Sequence, residues 1–375
     1  MRRRFILLTL VFMLLPFHHS EAEELHNPIK AKLKILQTTD IHANILDYDY
    51  KNNNRTIEYG LSRTASLIQK IRSQNENTLL FDVGDMIKGN ALADFIAKSP
   101  FLPVTDIHPA YKTMNLLQYD AATVGNHEFN YGLDFLLKTV SGADFPVVNA
   151  NIYIDDHNQM AEDDLHFFNP YTIMPYPIKT EAGTVETINV GVIGLLTPIA
   201  AEWDKEYFKD NLIIKNMSET AAEIVPIMKK AGADIIIALV HAGLQSDDAL
   251  KDKRGNNVVD VSKVEGIDVL LYGHSHSLFP KKGEKNIEGI NHQAGTINKK
   301  PAVQAGFWGN HLGIIDLSLE KRDSVWKIAA SKSQAKPIIR IINGKKVPVV
   351  SPYQPIEYLM EPYHQETLEY VKTLK

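Results

Sequence analysis

The 375-residue chain has no cysteine. Disulfides and thiolate metal centres are therefore excluded, and nitrogen and oxygen are the donors left for a bound cation. Positive charge does not dominate either: 40 Lys and Arg stand against 45 Asp and Glu, a net charge of −5 at pH 7. Leaving out residues 1–22 takes the balance to −7, with 37 basic and 44 acidic side chains. That balance argues against bulk electrostatic binding of a nucleic-acid polymer, which depends on basic patches. A small phosphate ligand stays compatible with it, because a bound cation locally outweighs a dispersed negative surface. No apolar run beyond residue 17 is long enough to cross a bilayer, and no internal repeat or low-complexity tract occurs.

The beginning of the chain has its own pattern. Arg2–Arg4 form a basic start, Phe5–Phe17 an apolar stretch too short to span a bilayer comfortably, and Ser20-Glu21-Ala22 a small-residue cleavage site. These are the parts of a secretory signal peptide over residues 1–22, with the mature chain starting at Glu23. The expected location is the periplasm, with the cell surface or release as alternatives. If retained, the segment is a membrane tether.

Five polar motifs follow in order: Asp40-Ile41-His42, Gly84-Asp85, Gly125-Asn126-His127-Glu128, His241, and Gly273-His274-Ser275-His276. Each comes after an apolar run suited to a buried strand: Leu33–Leu36, Thr78–Val83, Ala121–Val124, Ile235–Val240 and Val269–Tyr272. Carboxylates and imidazoles thus collect where strands end and loops begin, the edge at which layered α/β folds gather ligands. Singly, none is decisive: Gly-Asp is turn chemistry and a lone histidine after an apolar run is usually a core residue, while Gly125-Asn126-His127-Glu128 and Gly273-His274-Ser275-His276 are rarer, each placing an imidazole beside a tight turn. Together they supply what two cations about 3.5–4 Å apart need, a shared carboxylate and terminal His, Asp and Asn ligands.

This set resembles the calcineurin-like metallophosphoesterase superfamily, in particular its periplasmic 5′-nucleotidase branch. Further segments, Gly60–Leu67, Asp106–Tyr111, Gly125–Gly132, Val148–Asn151 and Gly306–Gly313, are similar to the subgroup of 2′,3′-cyclic-nucleotide 2′-phosphodiesterase/3′-nucleotidases. The resemblance runs from about Leu33 to about Ile339 and implies an α/β fold, a four-layer α/β/β/α sandwich of two mixed sheets flanked by helices. It implies two divalent cations, Mn, Zn, Co or Fe. One is held by Asp40, His42, Asp85 and His276, and the other by Asp85, Asn126, His241 and His274. It further implies hydrolysis of 2′,3′-cyclic nucleotides and 3′-nucleotides by a metal-bridging hydroxide attacking phosphorus, with His127 beside the phosphoryl group. Many 5′-nucleotidases carry Asp where this chain has Asn130. An amide can hold the ring but cannot stabilise imidazolium by charge. Activity as a 5′-nucleotidase or UDP-sugar hydrolase, or a truncated remnant that only binds metal or nucleotide, are the alternatives. The implied partner is a small nucleotide, met by a monomer.

Helical periodicity is expected over Leu61–Arg72, His108–Leu117, Leu133–Val140 and Ser218–Ala231. Ala302–Ala305, Gly313–Leu319 and Val325–Ser331 alternate and contain β-branched residues, as antiparallel strands completing the second sheet would. One catalytic domain is expected over residues 23–340. Residues 341–356 suggest a connector and Glu357–Lys375 a helix, which in the family leads toward a C-terminal nucleotide-binding domain not present in this sequence. Asp82 and Glu128 suit either support of the ligands or simple turn capping. Arg63 is a candidate for lining the pocket, against a solvated helix face. His108 and His311 are expected to be structural, and His26, His157, His166, His292 and His364 receive no function.

Overall fold

Alternate side chains along a strand point to opposite faces, and three separate apolar layers follow from that alternation. In the computed structural model, Leu33, Ile35, Leu79 and Phe81 join Ile235, Ile237, Leu239, Val269 and Leu271 in one core. Their in-between neighbours Leu36 and Leu80 face a second core, built with the Leu61–Arg72 and Pro109–Leu116 helices. Ile236, Ala238 and Val240 face a third, with the Met217–Lys230 helix. Three cores separate four layers, giving the expected α/β/β/α sandwich. The structure describes residues 27–98, 106–158, 160, 164–208, 211–244 and 257–374. The signal-peptide segment lies outside them, and among them no helix is long and apolar enough to cross a membrane.

The first sheet has the order Val325–Pro337, His311–Arg322, Ile29–Thr38, Thr78–Asp82, Ala121–Ala122. Its last three strands are parallel, with Lys34 opposite Thr78 and Phe81 opposite Ala121. In the second sheet, Val185–Leu196, Ile235–His241, Val269–Tyr272 and Lys300–Ala305 are parallel, with Ile237 opposite Val269. Tyr171–Lys179 and short hairpin strands flank them antiparallel.

The expected role of the later strands is corrected by this topology. Only Lys300–Ala305 belongs to the second sheet, and it runs parallel to Val269–Tyr272. After the turn at residues 306–310 the chain crosses to the first sheet, where His311–Arg322 pairs antiparallel with Ile29–Thr38, and Val325–Pro337 pairs with His311–Arg322. Alternation could not distinguish the two destinations, because Val303, Ile315 and Leu317 all face the shared central core.

Residues 341–356 hold part of a β-hairpin, in which Ile339–Ile342 pairs with Lys345–Pro348 around Asn343 and Gly344 at φ 49° and 74°. The helix that follows spans Gln354–Thr373. It buries Ile356, Met360, His364 and Thr367 against the first helical layer, with Tyr50 and His364 hydrogen-bonded at 2.9 Å. His364, assigned no function from sequence, is thus a buried docking residue.

His108 caps the Pro109–Leu116 helix: its Nδ1 accepts from the Ala110 N–H at 3.2 Å. Burial, helped by Lys138, pushes its pKa down to about 3. The folded state therefore keeps this imidazole neutral where the unfolded chain protonates it, so stability present above pH 6.5 is lost as pH falls from there toward 3. Asn is an equally good N-cap without a titrating ring. His108→Asn is expected to shrink the stability loss between pH 7 and pH 5 by about 1–2 kcal/mol in chemical unfolding. An unchanged difference would remove His108 from the acid response.

Candidate metal centre

Five loops meet at the carboxyl ends of parallel strands drawn from both sheets. Asp40 and His42 follow Ile29–Thr38, Asp85 follows Thr78–Asp82, and Asn126 and His127 follow Ala121–Ala122. His241 ends its own strand, while His274 and His276 follow Val269–Tyr272. The turns are sharp enough that Asp40, His42, Asp85, His274 and His276 all have positive φ, between 50° and 76°. For residues with a side chain this costs roughly 1–2 kcal/mol each, and it persists only where surrounding bonds over-determine it.

Those bonds run from loop to loop. Asp40 N–H donates to Gly84 O at 3.0 Å, His42 N–H to Asp85 O at 2.8 Å, and His274 N–H to the Asp40 carboxylate at 3.0 Å. Glu128 anchors the centre from below: its carboxylate accepts the backbone N–H groups of Gly125, Asp85, Met86 and Ile87 at 2.6, 2.7, 2.6 and 3.3 Å. Asp82 accepts from Thr38 Oγ1 at 2.6 Å and Gly84 N–H at 2.9 Å. Gly125 has no room for a side chain, since a Cβ there would overlap Asp85 Oδ1 and come within 2.6 Å of the His241 ring.

Two groups of potential ligands result, Asp40, His42 and His276 in one and Asp85, His241 and His274 in the other, each with its ligand atoms within 4.8 Å of one another. His42 Nε2 and His276 Nε2 are 2.9 Å apart, and His276 Nε2 is 3.4 Å from Asp40 Oδ1. Asp85 lies between the groups: Oδ2 is 3.2 Å from His241 Nε2 and 3.7 Å from His42 Nε2, while Oδ1 accepts from His127 N–H at 2.9 Å. His42 Nδ1 donates to Lys88 O at 2.7 Å and His241 Nδ1 to Val83 O at 2.6 Å. With Nδ1 held by a carbonyl, each ring turns its Nε2 into the centre, which is how supporting carbonyls orient metal-binding imidazoles.

The donor set fits cations on a further observation. Asn126 Oδ1 is buried without a hydrogen-bond partner, His241 Nε2 faces the Asp85 carboxylate at 3.2 Å, and Asp40, Asp85 and His241 are almost fully buried. Buried polar atoms left unpaired are costly, and two carboxylates share this small space. Their ionisation shows the demand for positive charge. Burial lowers the His241 pKa, but the Asp85 carboxylate outweighs it and takes the ring up to about 10. Burial opposes ionisation of Asp85 too, and His241 and His42 more than reverse it, so its carboxyl lies below the usual range. His274 is pushed down to about 4 by burial and by His241.

A profile of the calcineurin-like phosphoesterase family matches residues 33–278. The chain belongs to the calcineurin-like phosphoesterase family. It is 42% identical over 371 residues to the trifunctional nucleotide phosphoesterase protein YfkN of Bacillus subtilis, a match covering 98% of this chain and 24% of the relative. It is also 42% identical over 306 residues to the 2′,3′-cyclic-nucleotide 2′-phosphodiesterase/3′-nucleotidase of Yersinia enterocolitica, covering 82% of this chain and 46% of that protein. A crystal structure of calcineurin-like phosphoesterase YfkN from Bacillus subtilis superposes with a TM-score of 0.83 at 41% identity, over 92% of this chain and 99% of that one. The chain spans less than half the length of these curated relatives.

All eight side chains singled out from sequence, the seven potential ligands and His127, are drawn into this one region. His127 is in edge contact with His42, ring centroids 5.2 Å apart, and its Nδ1 meets Asn130 Oδ1 at 2.6 Å. Arg63 is not among them. It is buried, pairing with Asp47 at 2.7 Å and donating to Val350 O at 2.9 Å, so it neither lines this centre nor lies on a solvated helix face. The sequence reading gave no role to Asp204, which touches Asn126 and Asn130, to Trp203, which stacks on His274, or to Phe307 of the Gly306–Gly313 segment, which stacks on His276, with centroids 5.1 and 4.9 Å apart for the two stacks.

Proposed function

We propose that this phosphoesterase is exported and hydrolyses 2′,3′-cyclic nucleotides and 3′-nucleotides with the help of two divalent cations. The observation that carries the proposal is the position of Asp85 between two clusters of potential ligands. Asp40, His42, Asp85 and His276 would hold one cation; Asp85, Asn126, His241 and His274 would hold the other. When bound, such a pair supplies Lewis acidity and lowers the pKa of water enough for it to act as a nucleophile near neutral pH.

The chain's own residues then divide the remaining work. His127, with Nδ1 engaged by Asn130, keeps Nε2 free to take a proton from solvent, and the N–H so formed can stabilise the phosphoryl group or pass that proton to the departing sugar oxygen. Trp203, 55% exposed, and Phe307 offer flat apolar surfaces beside the two clusters, which suits a phosphate carrying a heterocycle better than phosphate alone. The names of the relatives from Bacillus subtilis and Yersinia enterocolitica support nucleotides as the substrate class. The basic, apolar and small-residue order of residues 1–22 supports export.

The test is direct. The metal-loaded chain is expected to hydrolyse bis(p-nitrophenyl) phosphate, to lose that activity in EDTA, and to regain it with manganese or cobalt. Among nucleotides, faster turnover of 2′,3′-cyclic than of 5′-phosphate substrates is expected, and the reverse order would move the assignment to a 5′-nucleotidase. No hydrolysis of any phosphoester by the metal-loaded protein would overturn the enzymatic reading.

A further inference from the structure

We propose that Asp204 is a positioning residue that orients both asparagines beside the centre and, through Asn130, selects the tautomer of His127. What His127 accomplishes rests on the phosphoesterase reading above, but how Asp204 holds it does not. Asp204 follows the short Ala200–Trp203 helix, and the stacking of Trp203 on His274 docks this segment against the ligand loops. Its two carboxylate oxygens serve different amides. Oδ1 accepts from Asn130 Nδ2 at 2.7 Å, and Oδ2 accepts from Asn126 Nδ2 at 3.4 Å.

An ionised carboxylate can only accept hydrogen bonds, so both amides must turn their NH2 groups toward Asp204 and their carbonyls away. For Asn130 the carbonyl then faces His127 Nδ1 at 2.6 Å, where an acceptor requires Nδ1 to carry the proton. Nε2 keeps its lone pair, open to take up the proton that a leaving oxygen would need, while Nδ1–H stays bonded to the Asn130 carbonyl. For Asn126 the carbonyl is left buried without a hydrogen-bond partner, the state required of an oxygen reserved for a cation. One acidic side chain thereby settles two amide orientations and one tautomer, while its charge stays two hydrogen bonds from the imidazole. Without it, Asn130 is free to rotate and offer N–H to His127, which places the proton on Nε2, and Asn126 is free to turn N–H toward the cation site.

Three variants of the full chain test this: Asp204→Ala, the isosteric Asp204→Asn, and the exchange Asn130→Asp with Asp204→Asn. Long-range 1H–15N NMR on the metal-free, histidine-labelled protein at alkaline pH reads the tautomer. The wild type is expected to hold His127 as Nδ1–H, both single variants to move it toward Nε2–H, and the exchange to restore Nδ1–H because a carboxylate at 130 accepts from the ring directly. With metal present, the single variants are expected to lower kcat on a 2′,3′-cyclic nucleotide about 10- to 100-fold with little change in KM, and the exchange to recover it. The loss should be smaller on bis(p-nitrophenyl) phosphate, whose good leaving group needs less proton donation. An unchanged His127 tautomer in the single variants, or equal losses on both substrates with no recovery in the exchange, would overturn the proposal. If the wild type hydrolysed no phosphoester, the proposed function would fall, and the NMR result would still decide the role of Asp204.

Discussion

Asp85→Ala is expected to take the metal content of the purified protein from two equivalents to none and to lower phosphodiester hydrolysis by at least about 10³-fold, more than the 10- to 100-fold usual for residues that only support ligands. No other carboxylate lies within 3.7 Å of an imidazole nitrogen from each cluster, His42 on one side and His241 on the other, among the described residues. Its removal breaks both clusters at once. In the absence of metal the variant should fold, because the substitution removes a buried carboxylate and leaves His241 free to become neutral. The thermal shift on adding manganese is the cleaner readout: a ligand at 100 times its Kd stabilises the wild type by about 2.7 kcal/mol, and the variant should gain nothing. His127→Ala provides the contrast, retaining two metal equivalents and the thermal shift while turnover falls by about 10²- to 10⁴-fold. An Asp85→Ala protein that kept both cations, or a His127→Ala protein that lost them, would show the roles to be misassigned.

The contrast between these two residues also marks what could be read from sequence. Asp40, Asp85, His241 and His274 were legible because each follows a continuous apolar run, the pattern of a strand buried on both faces. The Leu61–Arg72 and Leu133–Val140 helices were legible at both ends. Asp204 was not, since it lies 78 residues from Asn126 on an unexceptional turn, and its meaning comes only from which amides it touches. Arg63 was misread for a related reason: helical periodicity places it on a face, but Asp47 and Val350, which cover that face, come from distant segments. The Ile339–Pro348 hairpin did carry a local signal, because Asn-Gly between β-branched runs favours a turn with positive φ at both central positions. Residues 341–348 of it fall within the Val-, Pro-, Gly- and Lys-rich stretch read as a connector, a composition that says nothing of strand pairing.

Glu128→Gln is the second large effect, and it separates support of the centre from ordinary turn capping. Both oxygens of Glu128 are occupied by backbone donors, Gly125 and Asp85 N–H on Oε2 and Met86 and Ile87 N–H on Oε1. Four N–H groups converging on one side chain suit a group that only accepts. Burial and the nearby Asp85 charge push the Glu128 pKa up, and the bonds from Gly125 and Asp85 N–H pull against that shift. Glutamine preserves size but must turn an NH2 toward one of the two pairs, leaving buried donors unpaired at about 1–3 kcal/mol each. The expected loss is about 2–5 kcal/mol of unfolding free energy, a large share of the 5–15 kcal/mol typical of a folded domain. Because either pair belongs to the loop that carries Asp85, and the Oε2 pair also to the one that carries Asn126, metal affinity should fall with stability, whereas a capping residue would lower stability alone. Chemical denaturation paired with metal titration distinguishes the outcomes. Unchanged affinity at reduced stability would make Glu128 a cap, and no change in either would remove it from the scaffold of the centre.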